Sequence, residues 1–299
     1  MPGRITAGTG NSAPGFLWRT RFIERNTDSN PVLIVIKGAG DIASGIALRL
    51  HHAGFNIAMT ETAAPSAVRR KVCFSQAVYE GRTRVEDVSA VLVRDDAEMQ
   101  TVFAEKRIAV FVDPTAAIVQ RRGPAVVVDA IMAKKNTGTA RNDAPVVIGV
   151  GPGFTAGTDC HGVVETMRGH TLGRLIIRGS ALPDTGIPGS IGGYTSERLL
   201  RAGADGVFEA LVEIGDAIRK GDAAALVRPE AGGSGGIPVR AGITGVVRGL
   251  LPSGISVTRG MKAGDIDPRC EREHCFTVSD KALAIAGGVL EGILRFGLF

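Results

Sequence analysis

The stretch "VIKGAGDIASG" (residues 35–45) runs an apolar strand straight into three glycines with an aspartate among them. It closes "VLIVI" (32–36), a continuous β-branched run of the kind found in strands buried on both faces. Ile42, Ile46, Ala47 and Leu50 then fall on an approximate helical stripe that Gly54 ends. "NIAMT" (56–60) is the next strand, and apolar runs recur at 89–93, 108–112, 125–128 and 145–150. Helix-compatible segments at 96–106 and 114–122 lie between them. Strand and helix in alternation predict βαβ units and a Rossmann-like, doubly wound parallel sheet over residues 31–155.

In that setting Gly38 and Gly40 occupy the first two positions of G-x-G-x-x-G/A, and Ala43 the third. The first glycine permits the turn, the second lets a phosphate reach the backbone, and the small third residue lets helix and strand pack closely. Glu61 ends the second strand 23 residues after Gly38, where a carboxylate can bond a ribose hydroxyl. Asp41 fits such a site only if it turns away from a bound pyrophosphate or caps the helix. The competing reading is a purely structural turn. Asp113 and Asp129 follow strands, and Gly151 and Gly153 follow the 145–150 run. Ligand crevices of open α/β sheets lie at such carboxyl ends, although Asp is also a good helix cap. Arg69 and Arg70 read as a solvated helix face with a phosphate-binding alternative.

"GVGPGFTAGTDCHG" (149–162) holds Asp159, Cys160 and His161. If 159–165 is extended, Asp159 and His161 point the same way and Cys160 the opposite way. That favours an Asp–His pair over a Cys–His couple.

The second half reads differently. "ADGVFEALVEIGDAIRKGDAAALV" (204–227) and "IPVRAGITGVVRGLLPSGISVTRGMKAGDID" (237–267) each give a strand, a G-D turn and another strand, so they look like an internal repeat. The pattern resembles the barrel-sandwich hybrid of biotinyl and lipoyl carriers, giving a β-rich domain over 156–268. The hairpin between the repeats, "RPEAGGSGG" (228–236), has no lysine, and Met261–Lys262 lies in the last turn. No prosthetic group is therefore expected. Residues 269–299 should form a C-terminal helix packing back on the core, capped by Ser279 or Asp280. Gly287 and Gly288 inside it imply close packing or an approaching ligand. Cys270, His274 and Cys275 lack a fourth ligand, so no metal centre is expected.

Composition narrows the classes further. The chain has 299 residues, 44% of them hydrophobic, with a dispersed net charge of +5, which argues against a nucleic-acid surface. No apolar run is long enough to span a bilayer. Four scattered cysteines fit a reducing compartment, hence a cytoplasmic location. Residues 1–30 read as a disordered tail.

Taken together, "KGAGDIASGIALRLHHAGF", "MTETAAPSAVRRKVCFSQAVYEG", "VVVDAIMAKKNTGT", "VIGVGPGFTAGTDCHGVVETMRGHTLGR", "GIPGSIGGYTSERLLRA" and "GDIDPRCEREHCFTVSDKALAIAGGVLE" resemble the YqeB-type accessory proteins of selenium-dependent molybdenum hydroxylases. The likeness runs over about residues 32–294. It implies a role in maturing xanthine-dehydrogenase-like clients, with NAD(P) or molybdopterin cytosine dinucleotide as the ligand and sulfur or selenium insertion as the task. It carries over no catalytic residues, and whether the chain turns over or forms oligomers stays open. A thiolate suits chalcogen transfer, which makes Cys275, beside His274 at a helix start, and Cys160 the candidates. The alternatives are an NAD(P)-dependent oxidoreductase, with His161 or Tyr194 as proton donor, and a non-catalytic nucleotide-binding scaffold.

Overall fold

The computed structural model describes residues 31–229 and 235–297; the expected tail at 1–30 and most of the 228–236 hairpin lie outside them. Nine strands form one sheet in the order β3-β4-β5-β2-β1-β6-β7-β8-β9. They are β1 (Leu33–Lys37), β2 (Asn56–Glu61), β3 (Arg82–Val85), β4 (Val88–Leu92), β5 (Ile108–Val112), β6 (Val126–Asp129), β7 (Val146–Val150), β8 (Gly162–Val164) and β9 (Leu175–Ile176). β1 lies at the centre, paired in parallel with β2 and β6. Its alternate side chains feed two cores. Ile34 and Ile36 face α1 (Asp41–His52) and the C-terminal helix, while Val35 faces the opposite layer. That layer holds α3 (Asp96–Ala104) and α4 (Ile118–Arg122). A single turn, α2 (Ala77–Glu80), precedes β3.

The C-terminal helix, α5 (Asp280–Phe296), is capped by Ser279 Oγ, which accepts from the Ala282 amide at 3.3 Å. Its apolar stripe, Ile285, Val289 and Ile293, is fully buried against the sheet and α1. Small residues set the approach. A Cβ at Gly45 of α1 would stand 2.7 Å from Ala282 Cβ.

The second half contains β10 (Leu199–Arg201), β11 (Gly206–Ala210), β12 (Ala217–Ile218), β13 (Ala223–Arg228), β14 (Ile237–Arg240), β15 (Gly245–Leu250), β16 (Ser256–Val257) and β17 (Lys262–Asp267). They make two four-stranded antiparallel sheets, β10-β17-β15-β12 and β14-β13-β11-β16. The internal repeat is visible in the pairing. β11 and β13 pair with each other as β15 and β17 do, and each unit lends its short middle strand to the other's sheet. The halves are joined by main chain: Leu250 N donates to Val68 O at 2.7 Å, and Arg70 Nε donates to Leu250 O at 2.7 Å.

The expected Rossmann-like doubly wound sheet and barrel-sandwich-like domain are corrected by this topology. The large sheet is mixed, because β3 and β9 run antiparallel to their neighbours. The connections β6–β7 and β7–β8 contain no helix, and one face is covered by a helix from the far end of the chain. The large sheet also extends to Ile176, past the boundary expected at residue 155. The second half is two separate antiparallel sheets, so the fold is a mixed α/β unit with antiparallel sheets appended.

Candidate functional site

The parallel strands end along one edge, and the opening stretch turns there. Gly38 has φ +93°, and a Cβ on it would lie 3.1 Å from Ala130 O, so backbone and packing both demand glycine. Gly40 differs. Its φ of −69° and ψ of −174° are open to any residue, and a Cβ there would meet nothing within 4 Å. It caps the 12-residue α1 without any side-chain hydrogen bond. The fold does not require this glycine, and the space beside it is empty. Asp41 turns aside: its Oδ1 accepts from the Ile42 amide at 3.0 Å, and its Oδ2 lies 3.6 Å from an Arg69 nitrogen. Ala43 is fully buried in the core.

The other strand-end residues have clear structural partners. Asp129 is buried, accepting from Thr139 Oγ1 at 2.6 Å with Lys37 Nζ 3.7 Å away. Asp113 caps α4 by accepting from the amides of Ala117 and Ile118, both at 2.9 Å. Cβ atoms at Gly151 and Gly153 would lie 2.9 Å from Thr166 Oγ1 and 2.6 Å from Lys135 Cα, which makes both packing glycines. Glu61 accepts from the Thr62 amide at 2.9 Å, and burial raises its pKa. A carboxyl with a raised folded pKa stabilises the fold below its ordinary pKa and loses that contribution as pH rises through the folded value. Glu61→Gln should therefore raise the melting temperature at pH 7 by about 2 °C, with the gain vanishing below about pH 4. Melting curves across pH 3.5–8 check this; a gain that grows toward acid would contradict it.

Asp159, Cys160 and His161 lie at the other edge of the sheet. Residues 151–161 form the return from the end of β7 to the start of the parallel β8, so they cross from one edge to the other. His161 Nδ1 accepts from the Val147 amide at 3.0 Å, and Asp159 accepts from the Thr155 amide at 2.7 Å, so no Asp–His pair forms. Burial lowers the His161 pKa, with Arg141 adding to the effect. The thiol candidates Cys160 and Cys275 are both buried. Cys160 is fully buried, and its thiol is pushed up to about 11 by burial. Cys275 is 1% exposed in the core of the second half, its pKa also raised by burial. Burial and a raised pKa run opposite to the low-pKa, reachable thiol that chalcogen transfer needs. Among the described residues the exposed cysteine is Cys270, and no cluster of His, Cys, Asp and Glu there could hold a metal ion.

A cleft of about 750 Å³ between the halves is lined by Asp41 and Arg69, which sequence reasoning names, and by residues such as Arg248 that it misses. The first turn of α1, at Asp41 and Ile42, forms one wall, and the start of α5, at Ser279 and Lys281, another. β10, β15 and β17 contribute Arg201, Arg248, Lys262 and Asp265, and the loop around 182–191 borders the opening. Eight Lys and Arg side chains line the cleft against three Asp. Arg69, read from sequence as part of a solvated face, is 7% exposed and donates to the carbonyls of His274 at 3.0 Å and Thr277 at 3.2 Å. Arg198 pairs with Asp265. Arg248 is 7% exposed, its nearest carboxylates standing at 3.8 and 4.0 Å. The Nε atoms of all three arginines are buried without a hydrogen-bond partner among the described residues, an expensive condition for a guanidinium. A signal was available in "GVVRGL" (245–250), where Arg248 interrupts an apolar strand.

No helix among the described residues is long and apolar enough to cross a membrane. No protein-family model matches the chain. Among solved structures it is similar to an aspartoacylase family protein of Mesorhizobium loti, with 10% identity, a TM-score of 0.28, and 80% of this chain and 85% of that chain covered. The ectoine utilization protein EutE (DoeB) of Ruegeria pomeroyi gives 11%, 0.27, 79% and 85%. Likenesses of this size carry no argument about fold or chemistry. In sequence the chain is 47% identical over 284 residues to the uncharacterized protein YqeB of Escherichia coli (strain K12). That match covers 95% of this chain and 50% of the relative, so the chain spans half the length of the curated protein it matches.

Proposed function

We propose that the chain is a cytoplasmic accessory protein for the maturation of molybdenum hydroxylases, and that it holds a nucleotide-bearing ligand at the Gly38–Asp41 turn. The observation that supports this most is Gly40: a glycine at the start of an uncapped helix, needed by neither backbone nor packing, with open space where a side chain would stand. A ligand phosphate close to the main chain is a physical reason for it. NAD(P) and molybdopterin cytosine dinucleotide both present such a group. The donor set fits: the helix start supplies amides, and the adjoining cleft carries an excess of Lys and Arg over Asp. A bound molybdopterin dinucleotide would bring the metal-binding chemistry. The chain's own residues hold and neutralise its phosphates.

Burial of Cys160 and Cys275 favours a holding role over a thiol relay, so insertion of sulfur or selenium is assisted by presenting the ligand to the client. The oxidoreductase reading draws no support from His161, which is on the far edge, or from Tyr194, an exposed residue whose backbone bridges to Ile191. The test is co-expression of a client hydroxylase with wild-type chain or the Gly40→Val variant. The expected result is client with reduced activity and depleted labile chalcogen when the variant is supplied. Client of full activity made with no functional copy of the chain would overturn the proposal.

A further inference from the structure

Two helices begin at the inter-half cleft, and they come from opposite ends of the chain. α1 has 12 residues and α5 has 17, and both first turns line the same cavity. Each helix start carries partial positive charge, with Asp41 Oδ1 taking the Ile42 amide of α1 and Ser279 Oγ the Ala282 amide of α5. Of the two first-turn carboxylates, Asp41 itself lines the cleft, while Asp280 is not among the lining residues. Asp41 is directed to Arg69, and Asp280 is held by Arg168 through two bonds of 2.9 Å.

A second observation is independent of the helices. Arg248 rises from β15 in the other half, more than nine-tenths buried, lines the cavity, and keeps an Nε with no hydrogen-bond partner among the described residues. Its Nη1 stands 4.0 and 3.8 Å from the Asp265 and Asp267 carboxylates, which Arg198 and Arg269 also hold, so this buried guanidinium shares its counter-charge with two other arginines. The Arg248 and Lys281 pKa values are both lowered by burial, and beyond that Arg69 is the chief influence on Arg248 and Asp41 on Lys281. The first of these is a like-charge repulsion, as expected where cations are gathered without enough counter-charge.

We infer that this cleft is a phosphate site built jointly by both halves, taking a ligand with at least two linked phosphoryl groups, with Arg248 as its central anchor. Two helix starts and an excess of basic side chains match two or more anionic groups rather than one. A volume of about 750 Å³ falls in the range of small-molecule and cofactor sites, about 300–1,000 Å³. Arg suits this role because its planar fork binds phosphate oxygens in pairs. Lys262 and Lys281 add point charges at the rim and at the α5 start. The inference rests on the proposed ligand class, and it adds that the second half, rather than the Gly40 turn alone, recognises the phosphates.

The test is calorimetry of the full chain with inorganic pyrophosphate and with orthophosphate, at low and high salt. Pyrophosphate should bind at least about tenfold tighter than orthophosphate, and the preference should weaken as salt screens the cleft. Arg248→Gln should lose at least about tenfold in pyrophosphate affinity. Because Arg248 is buried, Lys281→Gln and Lys262→Gln are measured alongside, each with a melting curve, and a several-fold loss is expected in both. Pyrophosphate affinity unchanged in all three variants, or no preference over orthophosphate, would overturn the inference. Nucleotide binding that is lost in Gly40→Val but unaffected by Arg248→Gln would overturn it while leaving the proposed function standing. Arg248-dependent pyrophosphate binding without affinity for any nucleotide would support it and remove the proposed function instead.

Discussion

Replacing Gly288 by alanine is expected to destabilise the protein by about 2 kcal/mol, whereas alanine at the adjacent Gly287 should stabilise it by about 0.5–1 kcal/mol. Both glycines lie inside α5, where alanine is intrinsically the better helix former. What separates them is the space each meets. A Cβ on Gly288 would stand 2.1 Å from Gly173 O and 2.9 Å from Val164 Cγ1, backbone and β-strand that have no freedom to withdraw. A Cβ on Gly287 would have only the Arg49 guanidinium at 3.9 Å. The approach is mutual, since a Cβ on Gly173 would lie 2.5 Å from Ala284 O. Denaturant unfolding of the two variants beside the parent is the check. Shifts of the same sign in both would mean that α5 is not seated as described. The start of this helix walls the cleft, so its seating also fixes Lys281 there.

The second large effect concerns ligand binding. Gly40→Val should abolish measurable affinity for a nucleotide-bearing ligand, a loss of at least about a hundredfold, or roughly 3 kcal/mol, while the melting temperature stays near that of the parent. The reason is steric and local. Val tolerates the φ of −69° and ψ of −174° at this position, and no protein atom within 4 Å opposes its Cβ. Only a ligand brought against the helix start would meet the new side chain. Titration with NADP and with cytidine diphosphate, paired with melting curves, separates the outcomes. Binding retained in the variant would place the phosphates away from this turn, and a variant that unfolds would mean that the open space is not open.

Much of this was legible along the chain, for identifiable reasons. "VLIVI", "NIAMT" and "IAVFV" are strands because β-branched runs flanked by turn residues have few alternatives, and they locate Gly38, Gly40 and Glu61 at strand ends. β3, "RTRV" at 82–85, was not legible, because an edge strand exposed to water carries no apolar period. That strand, with the two-residue β9, is what makes the sheet mixed. The edge of the sheet at which Cys160 and His161 stand was not legible, for a topological reason. Two parallel neighbours need a crossing segment between them, and the sequence does not reveal at which edge a glycine-rich crossing has arrived. The cleft was the least legible feature. Arg69 and Arg248 are separated by most of the chain, and only the docking of Val68 against β15 brings them to one cavity. A charge inside an apolar strand was the available sign, and Arg248 bore it.

The central claim is that this chain holds a ligand through its phosphates at the α1 start and the adjoining cleft. Calorimetry of the wild-type full chain against NADP, a cytidine-bearing pyrophosphate and inorganic pyrophosphate tests it most directly. Saturable binding of at least one nucleotide, weakened by salt and lost in Gly40→Val, is the predicted result. No affinity for any of the three at low salt, in protein shown to be folded and free of bound small molecules, would contradict it.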